Sequence, residues 1–215
     1  MTFLSILLSW FPTIIISLAL GSFISICIHP NFINIFCLIF VIYGIPLITY
    51  RIHNLFYPLE EGITYLLGKE YSPWWGSHQI QIIYIAFPFL EILLRLIPGL
   101  FSIWLQLWGA KIGKSIYWTP KLEIADRGLI EVGDRVIFGY GSQLYSHVIK
   151  PKNNNLMLYL KKIKIGNNVF IGAGCRLGPG VKIKDETFIP VTTDLYPKRN
   201  ANNNSLTEPN INSDC

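Results

Sequence analysis

Apolar residues recur at every sixth position through the second half of the chain, a period that belongs to neither an α-helix nor a simple β-strand. Eleven positions follow this register, and glycine comes directly after six of them. The eleven are Ile112, Trp118, Ile124, Val132, Phe138, Leu144, Ile165, Ile171, Leu177, Ile183 and Ile189. A six-residue side with three sides per turn predicts a triangular coil, in which each turn buries its apolar residues only against neighbouring turns.

The residues four places after the apolar positions support this interpretation. Val169, Cys175, Val181 and Thr187 are small or β-branched, as a tight interior near a corner requires. Glycine and asparagine at the remaining positions supply the turns. We therefore predict a mainly β domain over residues 108–197.

The N-terminal region has a different composition. The first fifty residues contain no Asp, Glu, Lys or Arg, and two apolar stretches, Phe3–Ile28 and Phe32–Tyr50, flank a His-Pro-Asn break. Each stretch is close to or above the roughly 20 residues that cross a bilayer. We predict a transmembrane helical hairpin over residues 1–50. The alternatives are two interfacial segments or a buried helical pair.

The flanks of the hairpin indicate its orientation. Arg51 closes the second stretch, and all 18 Lys and Arg residues follow the hairpin. Under the positive-inside rule, the C-terminal part is expected in the cytosol, with the hairpin spanning an inner or plasma membrane as a multi-pass anchor.

Two further segments complete the predicted organisation. Residues 51–107 read as a membrane-associated helical linker, in which Glu91 and Arg95 stand at helical i,i+4 spacing and Pro88 and Pro98 introduce bends. Residues 198–215 are rich in asparagine and poor in apolar side chains, and we expect them to be a disordered tail.

The six-residue period slips by two residues between Ile124 and Val132, and it lapses altogether between Leu144 and Ile165. Immediately before the lapse stands His147, which is the only histidine of the repeat region. The segment that follows contains asparagines, a short apolar run and Lys161, Lys162 and Lys164. An extruded loop is the simplest explanation.

The repeat tracts resemble the hexapeptide-repeat acyltransferases, in particular a membrane-associated subgroup. The matching tracts are Ile112-Gly113-Lys114, Val132-Gly133-Asp134, Ile165-Gly166-Asn167-Asn168-Val169, Ile171-Gly172-Ala173-Gly174 and Leu177-Gly178-Pro179-Gly180-Val181. The resemblance covers about residues 108–197. It implies a left-handed parallel β-helix with one extruded loop, assembly as a homotrimer, and acyl transfer from coenzyme A or carrier-protein thioesters. Acetyl-CoA or another acyl-CoA is then a co-substrate, and no permanently bound cofactor is expected.

The same resemblance implies a catalytic role for His147, because family members place a histidine on the surface of the coil near an extruded loop. A neutral imidazole can accept the proton of a hydroxyl or amine as that group attacks a thioester. Ser146 is not expected to act as the nucleophile, because consecutive residues of an extended chain point to opposite faces. Relatives carry a glutamate shortly after this histidine, whereas Lys150 stands here, so the group that orients the imidazole is left open.

Stacking the register places Arg127 on the turn next to His147, because each lies three residues after its inward residue. We expect Arg127 either to keep the imidazole neutral or to bind an anionic part of the substrate. An ion pair with Asp126 or Glu123 is the alternative.

Donor binding is carried over from the resemblance. The pantetheine arm is expected along the backbone of Gly172, Ala173 and Gly174, which could equally be corner residues only. Lys161 and Lys162 are candidates for the phosphates of coenzyme A, an anionic leaflet or plain solvation.

The predicted function is a membrane-anchored acyltransferase, most simply an O-acetyltransferase. Its acceptor is a hydroxyl or amine of an envelope glycan or lipid-linked molecule, because anchoring raises the effective concentration toward membrane substrates. Membrane lipid is thus an expected partner. Nucleic acid is not, because the net charge is only +5 and no binding motif accompanies it.

Two other functions share the predicted fold. One is a non-catalytic trimeric scaffold at the membrane. The other is a γ-class carbonic anhydrase, which is disfavoured because it needs several metal-binding histidines and the repeat region has one. No metal site is expected.

Overall fold

The computed structural model describes residues 2–68, 70–152 and 154–196, together with the backbone of two short antiparallel strands, Lys198–Arg199 and Leu206–Thr207. The rest of the predicted tail at 198–215 lies outside the described residues. The chain divides into two compact units. The first comprises Met1–Leu59 with Tyr65–Ile83, and the second comprises Glu60–Thr64 with Tyr84–Cys215.

The first unit is helical. Its N-terminal helices are α1 (Phe3–Ser9), α2 (Phe11–Ile28), α3 (Phe32–Ile39), a π-helical turn (Phe40–Gly44) and α4 (Ile45–Phe56). Asn31 begins α3 as an N-cap, because its side chain accepts a hydrogen bond from the backbone N–H of Asn34 at 2.8 Å. Thr2 caps α1 in the same way.

Two continuous helical stretches of this unit are apolar enough to cross a membrane. They run over Phe3–Ile28 and Phe32–Phe56, with mean hydropathies of 2.2 and 2.3, and only 6% of each most apolar stretch is buried. The second continues past Tyr50 and Arg51, further than the sequence predicted. Exposed side chains such as Phe3 and Phe32 leave the outer faces of both helices apolar.

Three further helices follow strand β1 (Gly62–Tyr65). They are α5 (Pro73–Ala86), α6 (Phe89–Arg95) and α7 (Leu100–Leu107), and Pro88 and Pro98 lie in the breaks between them. The predicted boundaries of the hairpin at residue 50 and of the linker at residue 107 stay predictions. Helices α6 and α7 belong to the second unit, where Phe101, Trp104 and Leu105 of α7 are buried.

The second unit is built on short parallel strands. They are β2 (Lys111–Ile112), β3 (Glu123–Ile124), β4 (Ile130–Val132), β5 (Ile137–Phe138), β6 (Gln143–Leu144), β9 (Ile163–Ile165), β10 (Phe170–Ile171), β11 (Arg176–Leu177), β12 (Lys182–Ile183), β13 (Phe188–Ile189) and β14 (Asp194–Leu195). The chain visits three sheets in rotation, with orders β12-β9-β4-β2, β13-β10-β5 and β14-β11-β6-β3. These sheets are the three sides of a coil, the prism.

The register of the prism agrees with the six-residue period. Ile165 pairs with Val132, Ile171 with Phe138, and Leu177 with Leu144. Nine of the eleven repeat positions are buried, and Ile112 and Trp118 in the first turn are half-buried. The inward orientation predicted from the sequence is therefore confirmed for these nine positions.

The first turn is covered by aromatic packing. Trp118 stacks on Phe138 with ring centroids 5.0 Å apart, and the ring of Phe101 from α7 meets its edge at 5.3 Å. The indole N–H of Trp118 donates to Ser102 at 2.8 Å. Helix α7 therefore supplies to this turn the contacts that a further turn supplies elsewhere.

Corners of the prism fall three residues after the inward positions. There the backbone adopts positive φ, between 56° and 60° at Ser115, Arg135, Asn168 and Glu186, and Gly180 does the same at 79°. A left-handed φ is strained for most side chains, which explains glycine and asparagine at such positions. His147 stands at the equivalent place after Leu144, and there the chain leaves the coil.

The predicted extruded loop is a regular β-hairpin. Strands β7 (His147–Lys152) and β8 (Asn155–Leu160) pair antiparallel, with His147 opposite Leu160. Strand β1 joins the other edge of β8, so the insertion is a three-stranded sheet. The hairpin begins and ends at one corner of the prism.

Candidate active site

His147 is the first residue of the hairpin and lies at the edge of the prism. Its Nδ1 is 2.6 Å from Oδ2 of Asp126, which belongs to the preceding turn of the coil. The side chain of His147 is 17% exposed and that of Asp126 is 4% exposed. The imidazole therefore remains accessible while the carboxylate that contacts it is shielded from water.

The position of Asp126 follows from the coil. Ile124 pairs with Leu144, so Asp126 lies beside Ser146, whose backbone N–H donates to the same Oδ2 at 3.1 Å. A 3₁₀ turn, Arg127–Leu129, begins immediately after Asp126. Two donors thus converge on one carboxylate oxygen, which fixes it against the imidazole.

This contact determines what the imidazole can do. An ionised carboxylate only accepts hydrogen bonds, so Nδ1 carries the proton in this pair and the lone pair of the neutral ring is on Nε2. A positioned carboxylate also stabilises the imidazolium formed when Nε2 takes up a proton. The pair has the geometry that a general base with an orienting carboxylate requires.

Ser146 has a structural role. Its side chain is buried, and its hydroxyl donates to the carbonyl oxygen of Leu129 at 3.0 Å. The hydroxyl thus holds the 3₁₀ turn behind Asp126.

Arg127 requires a correction to the predicted geometry. The register predicted a cation beside His147 on the prism surface, but the side chain is 1% exposed and its Nε donates to Oε1 of Glu91 at 2.6 Å. The guanidinium also lies over the ring of Tyr84, 5.0 Å from its centroid. The coil departs from its regular path at the 3₁₀ turn, and the carboxylate of Glu91 on helix α6 is a partner of Arg127 that the sequence did not predict.

Glu91 is the centre of a buried polar cluster. Its Oε1 also accepts from the indole N–H of Trp104 at 3.1 Å, and its Oε2 lies 3.9 Å from Arg95. Burial lowers the pKa of Arg95 to about 10, with Glu91 acting to raise it and Arg127 acting to lower it further. The predicted linker residues Glu91 and Arg95 are therefore packed inside the second unit.

The two lysines that were predicted to bind coenzyme A phosphates, Lys161 and Lys162, have different surroundings. Lys161 stays at the corner of His147, because its backbone N–H donates to the carbonyl of Ser146 at 2.9 Å and its carbonyl accepts from Gly180 at 3.3 Å. Lys162 instead lies 3.7 Å from Glu131, on a side of the prism. The structure brings only Lys161 next to the candidate base.

Gly172, Ala173 and Gly174 form a corner of the prism. A side chain on Gly172 would stand 2.5 Å from the backbone nitrogen of Val191 on the next turn, so close stacking of the turns requires glycine there. The N–H groups of Gly172 and Gly174 already donate to neighbouring turns. Donor binding along these residues stays a prediction.

Comparison with known proteins supports the repeat. The family described as bacterial transferase hexapeptide (six repeats) matches residues 162–190. Residues 162–190 carry the bacterial transferase hexapeptide repeat. The matched region contains β9 to β13 and begins just after the hairpin that follows His147.

Sequence similarity extends beyond that region. The chain is 33% identical over 93 residues to the galactoside O-acetyltransferase of Escherichia coli (strain K12), across 40% of this chain and 46% of that protein. The chain thus spans about half the length of this relative.

Solved structures give weaker similarity. A hexapeptide-repeat-containing acetyltransferase from Vibrio cholerae aligns with a TM-score of 0.41 and 15% identity, over 56% of this chain and 82% of that one. Its complex with acetyl coenzyme A aligns with a TM-score of 0.41 and 17% identity, over 59% and 84% of the two chains.

Proposed function

We propose that the protein is an acyltransferase that moves an acetyl group from acetyl-CoA to a hydroxyl or amine, with His147 as general base. The contact between His147 and the buried Asp126 at the prism edge carries this proposal. The hexapeptide repeat and the similarity to galactoside O-acetyltransferase support the reaction class. The prism is taken to be left-handed, as in the family that it resembles.

The reaction follows from the geometry of the pair. Nε2 of His147 removes the proton from the acceptor as its oxygen or nitrogen attacks the thioester carbonyl. The tetrahedral intermediate then expels the coenzyme A thiolate, which takes the proton back from the imidazolium. Asp126 accepts the Nδ1 proton throughout and stabilises the ring while it is charged.

An outward apolar ladder supports assembly as a homotrimer. Tyr117, Ile137, Phe170 and Phe188 stand in register on one side of the prism and are each exposed, from 39% to 62%. The rings of Phe170 and Phe188 stack at 5.2 Å. Contiguous exposed apolar surface on a sheet typically marks an interface. We propose that a neighbouring subunit covers this ladder in the trimer.

The N-terminal helices support action at a membrane. Two helices are apolar enough to span it, and we propose that they anchor the chain with the prism on the cytosolic side. The acceptor would then be an envelope glycan or a lipid-linked molecule held near the same surface.

Replacement of His147 by alanine tests the proposal. The full-length chain is purified in detergent, and release of the coenzyme A thiol is followed with a panel of sugar and amine acceptors. Loss of a general base should lower kcat by about a hundred- to ten-thousand-fold, and the Tm of the variant shows separately whether it is folded at the assay temperature.

The exposed histidine of the helical hairpin provides the matched control, as His29→Ala should leave the rate unchanged. Equal rates for His147→Ala and the unsubstituted chain would remove His147 from the mechanism. Absence of transfer to every acceptor by the unsubstituted chain would favour the scaffold function instead.

A further inference from the structure

A cavity of about 320 Å³ lies in the second unit beside helix α6. Residues at the end of α5 and on α6 form one wall, and residues between Pro120 and Arg127 form the other. The volume is within the range of small-ligand sites. His147 is not among the lining residues, although Arg127 is the sequence neighbour of its partner Asp126.

The positive and negative charges in the wall of this cavity do not cancel. Three cations, Arg95, Lys121 and Arg127, face two carboxylates, Glu91 and Glu123, which leaves an excess of one positive charge. The two guanidiniums are buried and share the Glu91 carboxylate. A buried excess of positive charge favours an anionic ligand.

Arg95 provides an open donor in the same wall. Its terminal nitrogens donate to the carbonyls of Thr119, Pro120 and Leu122, whereas its Nε is buried and has no hydrogen-bond partner among the described residues. The side chain is 5% exposed. Buried N–H groups of charged side chains are normally satisfied, so an acceptor atom in the cavity would complete this one.

The remaining wall is apolar. Ile85, Pro88 and Ile92 line the cavity, and next to them α6 exposes Phe89, Leu93 and Leu96 at 55%, 52% and 72%. A free inorganic anion has no apolar part that could pack against these side chains. A ligand that combines an anionic group with a hydrocarbon chain matches both parts of the site.

We propose that this cavity binds the phosphate ester of a lipid-linked acceptor, with the phosphate against Arg95 and Lys121 and the first chain carbons against Ile85 and Ile92. The proposal rests on the proposed function in assigning the ligand as the acceptor. Arg127, which the sequence predicted to bind an anionic part of the substrate, lines the same cavity and contributes its charge.

Equilibrium binding of radiolabelled dioleoyl phosphatidate to the full-length chain in maltoside micelles tests this proposal. Saturable binding should be at least about tenfold tighter than that of dioleoyl phosphatidylcholine. Inorganic phosphate and glucose 1-phosphate should compete only at far higher concentrations. Equal affinity for the two lipids would overturn the proposal. If glucose 1-phosphate competed as strongly as unlabelled phosphatidate, the ligand would be a soluble phosphate ester and the lipid assignment would be wrong.

Two substitutions locate the binding, and both keep Arg95, whose side chain donates to backbone carbonyls of residues 119–122. Lys121→Glu reverses an exposed charge at the cavity and should weaken phosphatidate binding roughly fivefold to tenfold. Ile92→Trp fills the cavity and should abolish saturable binding. The matched controls are Lys184→Glu on the prism surface and Ile103→Trp on the exposed side of α7, and both should bind as the unsubstituted chain does.

Binding that is unaffected by both Lys121→Glu and Ile92→Trp would place the lipid elsewhere and overturn the proposal. The same titration on His147→Ala separates this inference from the proposed function. Undiminished phosphatidate binding with lost acyl transfer supports both proposals. Unchanged acyl transfer by His147→Ala refutes the catalytic role of His147. The affinity for phosphatidate tests the cavity proposal whatever the transfer rate of this variant.

Discussion

Replacing Asp126 by asparagine isolates the charge that acts on His147. Asparagine has nearly the same shape, and its side-chain oxygen can still accept from the backbone N–H of Ser146, so the turn is expected to keep its path. What disappears is a buried negative charge 2.6 Å from Nδ1. The substitution therefore tests the electrostatic contribution of Asp126 apart from its contribution to folding.

The magnitude follows from the burial of the contact. A hydrogen bond to a charged group contributes about 1.5–3 kcal/mol, and the 4% exposure of Asp126 leaves little solvent screening. If this energy stabilises the imidazolium of the transition state, kcat should fall roughly 10- to 150-fold. The assay is coenzyme A thiol release under saturating donor and acceptor.

The control is Asp185→Asn, which changes another aspartate that accepts a backbone N–H in the coil, at 2.7 Å from Asn167. That variant should keep the full rate. A kcat for Asp126→Asn within twofold of the unsubstituted chain, with Tm also unchanged, would refute the reasoning, because the contact would then have no part in catalysis.

Three further predictions concern other parts of the second unit. Glu91→Gln leaves two buried guanidiniums without their carboxylate and should lower the free energy of unfolding by about 3–5 kcal/mol, measured by denaturant titration, whereas exposed Glu186→Gln should change it by less than about 0.5 kcal/mol. Phe170→Asp places a charge in the outward ladder and should shift the mass in light scattering from that of the proposed trimer to that of a monomer; an unchanged mass would exclude this ladder from the interface. Burial acts to raise the pKa of Glu131, but hydrogen bonds and charge from Lys111 and Lys164 outweigh it and hold the pKa below its ordinary value of 4.5. Its contribution to stability is therefore present above pH 4.5 and lost below it, so the Tm difference from Glu131→Gln should shrink on acidification through this range.

The repeat was predictable because each turn of the prism obeys the same local rule. Inward residues such as Ile171 and Leu177 follow each other at the six-residue spacing, and their burial follows from the period alone. Trp118 is the informative exception. Its cover comes from Phe101 on α7, and the six-residue period contains no information about a helix outside the coil.

Part of the candidate site could also be read from the sequence. The lapse of the period marked His147, and the same register that paired Ile124 with Leu144 places Asp126 beside Ser146, two residues after each inward position. The register thus places Asp126 next to the turn that carries His147 as well as next to Arg127.

The surroundings of Arg127 could not be found in this way. Its partner Glu91 lies 36 residues earlier on a helix outside the repeat, and the 3₁₀ turn at Arg127–Leu129 interrupts the regular path of the coil. Long-range packing of this kind depends on how α6 meets the prism, which no local periodicity specifies.

The most direct test of the account is the protonation of the His147 ring in solution. Long-range ¹H–¹⁵N correlation spectra of the histidine-labelled chain, with His147→Ala to assign the signal, distinguish the two neutral tautomers. The account predicts a proton on Nδ1 and a free lone pair on Nε2 at the pH of activity. A ring protonated on Nε2 and unprotonated on Nδ1 would contradict it, because the nitrogen available to the acceptor could not act as a base.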